Sequence, residues 1–196
     1  MNSQYAINNG REVISGRTAS AVLGVLFFIL ATALGAYVKI PVPGSPVPIT
    51  LQTFFVILSA AVLGHKLGAF SQFGYVMLGA AGFPLFQGNY YSPAYLLGPT
   101  GGYLIGFIFA AWFIGHILDA DTPGILKTAT SFIIGCIIIY AFGIIWLIYL
   151  YRMTLIKAIS IGALPFIPGD AVKISLAVII YSSLAKRARA VFPRCQ

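Results

Sequence analysis

Residues 77–107 read MLGAAGFPLFQGNYYSPAYLLGPTGGYLIGF, and no other stretch limits the fold as much. Long apolar runs flank it, each reading as a membrane helix, while the stretch itself is rich in Gly, Pro, Asn and Tyr. Hydrocarbon cannot satisfy free backbone N–H and C=O groups, so non-helical backbone at membrane depth must be buried in protein or line a cavity. Residues 82–99 are therefore either an exposed loop or the wall of a binding cavity. The rest of the sequence favours the cavity.

The membrane assignment rests on composition. Of 196 residues, 8% are charged and 59% hydrophobic, with a mean hydropathy of +0.93. A soluble domain carries about 25% charged residues. The net charge of +8 does not point to nucleic acid, because the basic residues fall mainly in short segments between apolar runs. Cys136 and Cys195 stand mid-helix and at the extreme C-terminus, so neither a disulfide nor a metal site is expected.

Residues 1–17 are polar and lack the apolar core of a cleavable signal peptide; they read as a tail or leader. A single six-helix membrane domain is predicted over 18–189, followed by a basic tail over 190–196. The predicted helices cover 18–38, 51–63, 67–81, 100–118, 125–151 and 170–186. The first carries Ser20/Gly24 and Ala31/Gly35, small pairs four apart that let helix backbones approach. Gly102 and Gly106 do the same in the fourth. The second and third, joined by a tight Gly64-His65-Lys66 turn, are short. At about 1.5 Å per residue each covers roughly two thirds of the hydrocarbon, so they need the bulk of the protein around them. Residues 39–50, KIPVPGSPVPIT, hold four alternating prolines and cannot be helical. They form a stiff extended segment, either a lid over the cavity or a rigid connector. Residues 152–163 are less apolar, and Pro165-Phe166-Ile167-Pro168-Gly169 breaks the chain again.

Six crossings place both termini on one side. If that side is cytoplasmic it receives Arg11, Arg17, Lys66, Lys127, Lys186, Arg187, Arg189 and Arg194, against Lys39, Arg152 and Lys157 outside. The asymmetry predicts a multi-pass cell-membrane protein with cytoplasmic termini. The three irregular segments then converge on the outer face.

Catalysis needs a nucleophile with its base, paired carboxylates or metal ligands. The acids are Glu12, Asp119, Asp121 and Asp170, and the histidines are His65 and His116. Asp119 and Asp121 beside His116 are either a cation site or a solvated turn. No catalytic set, metal spacing or phosphate-binding fingerprint appears, so the expectation is no enzyme, no metal and no cofactor. Asp170 and Lys173 lie three apart on one helix face. Charges in membrane helices are costly and face a cavity or each other. Asp170 either caps the last helix with Lys173 as its partner, or the two bind ligand N–H and carbonyl or carboxylate groups. Gln52, Gln87, Asn89, Tyr90, Tyr91 and Thr100 add polar side chains toward the same face. Such a pocket suits a small, partly apolar organic ligand.

The segments GAYVKIPVPGSPVPITLQTFFVIL, GAAGFPLFQG, GPTGGYLIGF and FIPGDAVK, in this order, resemble the biotin-specific substrate-binding component (BioY) of energy-coupling-factor transporters. The combination of PxPxxPVPITLQT with LGPTGGYLIGF and IPGDxxK makes the resemblance specific. Tyr91-Ser92-Pro93 stands here where the family loop carries a Gly-Gly pair. The resemblance implies biotin capture from outside, and as partners a transmembrane coupling subunit and two cytoplasmic ATPases. It implies a docking face of small residues on the first helix, for which Ser20, Gly24, Ala31 and Gly35 are the candidates. It also implies that Asp170, Asn89 and Lys173 meet the ureido ring, and that Phe83, Phe86, Tyr90, Tyr91 and Tyr95 wall the thiophane. Thr100, the backbone of Gly101 and Gly102, and Gln52 remain open candidates for the carboxylate. The alternatives are a component for another vitamin and a self-sufficient membrane carrier.

Overall fold

A computed structural model describes residues 2–88, 92–119 and 123–192, with side chains described from Arg17 onward. The helices are α1 (Asn2–Tyr37), α2 (Gln52–Leu63), α3 (His65–Ala80), the short α4 (Pro93–Leu96), α5 (Gly101–Asp119), α6 (Ile125–Tyr151), α7 (Leu155–Gly162) and α8 (Ile167–Val191). Four helical stretches, Arg17–Tyr37, Gly101–Asp119, Ile125–Tyr151 and Leu155–Val191, are long and apolar enough to cross a membrane.

Each long helix leaves an apolar stripe outside. On α1 it is Leu23, Phe27, Leu30 and Leu34, spaced one helical face apart. In water such a stripe would be a sticky patch; against lipid tails it costs nothing. The short α2 behaves differently. Nine of its twelve residues are buried, among them Val56, Ala60 and Ala61 at 0% exposure. It packs against α1, α3, α5 and α8, which makes it the central post of the bundle. A polar thread crosses this centre: Thr32 donates to Gln72 Oε1 at 3.3 Å, and Gln72 Nε2 donates to Ser59 Oγ at 3.1 Å. Interhelical bonds of this kind contribute on the order of 0.6 kcal/mol each, so they align α1, α2 and α3 more than they stabilise them.

Gly102 and Gly106 are the contact between α5 and α6. A Cβ on Gly102 would lie 2.3 Å from Trp146 Cβ, and one on Gly106 would lie 3.0 Å from Ile139 Cα. Any side chain there would force the two helices apart.

The structure departs from the sequence expectations at the two ends, where α1 begins at Asn2 and α8 runs to Val191, in residues 152–163, which hold α7, and at three junctions. The turn between α2 and α3 is Gly64 alone, with φ +82°, because Asp119 from the end of α5 accepts the His65 N–H at 3.4 Å and lets α3 start at His65, two residues earlier than expected. The proline-rich segment is a hairpin, not a single extended stretch. β1 (Lys39–Ile40) and β2 (Ile49–Thr50) pair antiparallel, Lys39 with Thr50 and Ile40 with Ile49. The four prolines lie outside the paired residues, where no ladder N–H is needed, and Gly44 at φ +77° turns the chain. Finally, α8 begins at Ile167. Pro168 sits in its first turn, where a missing N–H is harmless, so the break shrinks to one 3-10 turn, Leu164–Phe166.

Candidate functional site

That last junction decides the role of Asp170. It stands inside the first turn of α8, not at its cap; the cap position is Phe166, and no side chain caps there. The carboxylate instead gathers donors from three helices. Lys173 Nζ donates to Oδ1 at 2.7 Å and Thr53 Oγ1 donates to the same oxygen at 3.1 Å. The Tyr140 hydroxyl donates to Oδ2. Lys173 also donates to Thr53 Oγ1 at 3.1 Å. The Asp170 residue is 4% exposed. A buried carboxylate so placed is stable only because the ammonium and two hydroxyls compensate it.

This cluster forms one side of a cleft. Val47, Pro48, Ile49 and Thr50, from the second arm of the hairpin, make another wall. The aromatic walls are Tyr103 and Phe107 from α5, Tyr140 from α6 and Phe166. Phe166 lies against both tyrosines, nearly parallel to Tyr140 with centroids 6.3 Å apart and edge-on to Tyr103 at 6.5 Å. Gln52, Gln87 and Thr100 complete the lining. Thr100 Oγ1 is buried and, among the described residues, has no hydrogen-bond partner. A hydroxyl left so is unusual and points to a ligand group as its partner. The cavity volume is about 50 Å³.

Of the residues chosen from sequence, Asp170, Lys173, Gln52, Gln87 and Thr100 come together here. Gln52 is held by its own network, donating to the Tyr75 hydroxyl at 2.7 Å and accepting from Thr50 at 3.2 Å. Phe86 is absent from the lining. It is fully buried behind the cleft, stacked on Tyr95 at 4.7 Å and seated in a notch that Gly79 leaves open. Phe83 is 55% exposed. Asn89, Tyr90, Tyr91 and Asp121 lie outside the described residues. Asp119 pairs with His65 Nδ1, and among the described residues no three His, Cys, Asp or Glu side chains gather as a metal site.

Sequence reasoning missed Thr53, Tyr140, Tyr103 and Phe166. Thr53 follows Gln52 directly, and Tyr103 and Phe166 stand inside the quoted GPTGGYLIGF and FIPGD segments. For Tyr140 the available signal was a lone phenol in an otherwise apolar run.

The small residues of α1 divide. Ser20 and Gly24 border an apolar groove with Phe28, Leu58, Ile180 and Phe192. A Cβ on Gly24 would nevertheless lie 2.7 Å from Leu63 Cδ2, Ala31 is buried, and a Cβ on Gly35 would lie 3.0 Å from the Gln52 backbone nitrogen, so these three pack within the chain.

A family model described as the BioY family matches residues 8–190. The chain is 42% identical over 159 residues to a protein named biotin transporter BioY from Thermotoga maritima, covering 81% of this chain and 92% of that one. A probable biotin transporter BioY from Pyrococcus horikoshii is 42% identical over 166 residues, covering 85% and 96%. The fold matches a crystal structure of the S-component for biotin from an ECF-type ABC transporter with a TM-score of 0.78, at 28% identity and covering 90% and 93% of the two chains. With a family model over nearly its full length and relatives this similar, the chain belongs to the BioY family.

Proposed function

We propose that this chain captures biotin from outside the cell as the substrate-binding component of an energy-coupling-factor transporter. The observation that carries this reading is the compensated Asp170–Lys173 pair at the edge of an aromatic cleft. Biotin's ureido ring offers two N–H donors and a carbonyl. Asp170 accepts an N–H and Lys173 donates to the carbonyl. The thiophane packs on Tyr103, Phe107 and Phe166, and the valerate carboxylate takes the Thr100 hydroxyl and the Gly102 amide at the start of α5, the Gly101 N–H being taken by the Gly98 carbonyl. Asn89, Tyr90 and Tyr91 contribute further contacts to the ligand. Gln52 supports the cleft through its bonds to Tyr75 and Thr50, and Phe86 by its stacking on Tyr95. The names of the relatives support the choice of vitamin.

A cavity of about 50 Å³ admits a water or two. Small-molecule sites run to about 300 Å³ or more. Biotin therefore enters only when a wall moves, and the hairpin, paired through just four residues, is the wall that moves. In this reading α1, α2, α3, α5, α6 and α8 cross the membrane. The cations of the two ends and of the α2–α3 and α5–α6 turns lie in the cytoplasm, with both termini. The coupling subunit seats by Ser20, with Gly24, Ala31 and Gly35 shaping the helix behind that seat, and two ATPases drive uptake. The chain itself performs no catalysis.

Calorimetry on the detergent-purified chain tests the core of this reading. Saturable one-to-one binding of biotin, and none of other vitamins, is expected. A folded chain without saturable biotin binding overturns it.

A further inference from the structure

We propose that Thr53 and Tyr140 are positioning residues that narrow which ligand edge the Asp170–Lys173 pair accepts. The proposal rests on the reading of the cleft as the biotin site. An ionised carboxylate offers about four lone-pair positions, and a lysine ammonium three N–H donors. Lys173 Nζ and Thr53 Oγ1 occupy both positions on Asp170 Oδ1, at 2.7 and 3.1 Å. The Tyr140 hydroxyl occupies one on Oδ2. Lys173 directs one N–H to Asp170 and a second to Thr53 at 3.1 Å. Among the described residues this leaves one acceptor position on Asp170 and one N–H on Lys173. The two residues are three apart on α8, so the free acceptor and the free donor lie on one helix face.

A cyclic urea edge, with an N–H beside a carbonyl, complements that remaining pair. A cyclic guanidinium edge presents N–H groups in both places. One of them meets the Lys173 N–H, and no further acceptor on Asp170 is left to take it. Lys173 supplies the donor and charge that oppose a guanidinium, and Thr53 and Tyr140 add to the selectivity for urea by occupying the Asp170 positions to which the displaced N–H could otherwise turn. Neither residue has to touch the ligand.

Calorimetry with biotin and with 2-iminobiotin, its cyclic guanidinium analogue, gives the ratio of the two dissociation constants. The parent chain is expected to favour biotin. Tyr140→Phe keeps the ring that lies against Phe166 and frees a lone pair on Asp170. The ratio should then move toward the analogue by about tenfold, the worth of one charge-assisted bond. Thr53→Val should move it the same way, and Thr53→Ser should restore the parent ratio. A structural role would weaken both ligands in step. Parent-like ratios in Tyr140→Phe and Thr53→Val, with biotin still bound, overturn the proposal and leave the biotin reading standing. Failure of the parent to bind biotin overturns both. If thermal melting shows Tyr140→Phe to be unfolded, the Thr53 pair of variants decides alone.

Discussion

Ser45, at the tip of the hairpin, donates a hydrogen bond to the carbonyl of Ile161 at 2.7 Å, across 116 positions of sequence. The next carbonyl, that of Gly162, accepts the Tyr103 hydroxyl at 2.8 Å. The last turn of α7 thus holds the hairpin with one carbonyl and a wall of the cleft with the other.

Ser45→Ala should loosen this latch without dismantling the hairpin ladder. The lost bond to Ile161 is worth about 0.5–1.5 kcal/mol, and the Val47 N–H that donates to Ser45 Oγ at 3.1 Å inside the hairpin is freed as well. Biotin release should accelerate roughly two- to tenfold, read by stopped-flow fluorescence. Trp146 is a convenient reporter, since its indole donates to the Gly98 carbonyl at 2.8 Å near the mouth. An unchanged release rate would show that the hairpin is not held at its tip.

Ser92 adopts φ +138°, ψ +147°, a backbone region that favours glycine. Strain of this type costs on the order of 1–3 kcal/mol. Its side chain returns part of that by accepting the Ala94 N–H at 3.0 Å, but Gly at such a cap loses only a few tenths of about 1 kcal/mol. Ser92→Gly should therefore raise the melting temperature in detergent. A lower melting temperature would mean that the hydroxyl matters more than the backbone.

Gly102→Ala should cost about 1–3 kcal/mol by overpacking, because the new methyl would lie 2.6 Å from the Phe142 carbonyl oxygen as well as against Trp146. Gly124→Ala is the control: among the described residues no atom outside its chain neighbours lies within 4 Å of its Cβ position, so it touches only the cap of α6 and should melt closer to the parent than Gly102→Ala. Equal melting temperatures for the two variants would remove the close α5–α6 contact.

Sidedness is open to labelling. Lys157 and Lys127 are both exposed, on α7 and on the first turn of α6. An impermeant thiol reagent should modify Lys157→Cys in intact cells, and Lys127→Cys only after permeabilisation. The reverse pattern would invert the topology.

Sequence alone located much of this architecture because hydrophobicity and proline act locally. Apolar runs place α5 to within a residue at each end and α6 on 125–151 as expected, whereas α1 starts at Asn2 and α8 runs on to Val191, beyond their apolar runs. It failed where a distant partner decides. The one-residue α2–α3 turn depends on Asp119, and the early start of α8 depends on how little a proline costs in a first turn. In the site, charge was partly legible: Asp170 and Lys173 read from sequence as a pair, but only the contacts of the carboxylate decide between a helix cap and a cleft wall. Hydroxyls and rings were not. Thr53 and Tyr140 differ from dozens of inert neighbours only through what they face, and Phe86 reads as a wall until Gly79 and Tyr95 show it packed behind one.

Asp170→Asn is the most demanding test. If Asp170 were a helix cap, Asn would serve nearly as well, since the two rank together. The structure removes that excuse, because three donors converge on the carboxylate and none belongs to the helix backbone. Asn presents one acceptor oxygen and one NH₂ to donors that all need acceptors. A ligand N–H then loses a charge-assisted bond, about 1.5–3 kcal/mol or roughly ten- to 150-fold in affinity. Lys173 is also left buried without its counter-charge, and breaking one side of a buried pair costs about 3–5 kcal/mol of stability. Lys173→Met should weaken binding too. The double variant removes both charges at once, so it should cost less than the sum of the singles, which marks direct coupling. Melting curves must accompany the calorimetry to separate lost folding from lost affinity. A folded Asp170→Asn chain that binds biotin as tightly as the parent would leave the pair without a role in recognition.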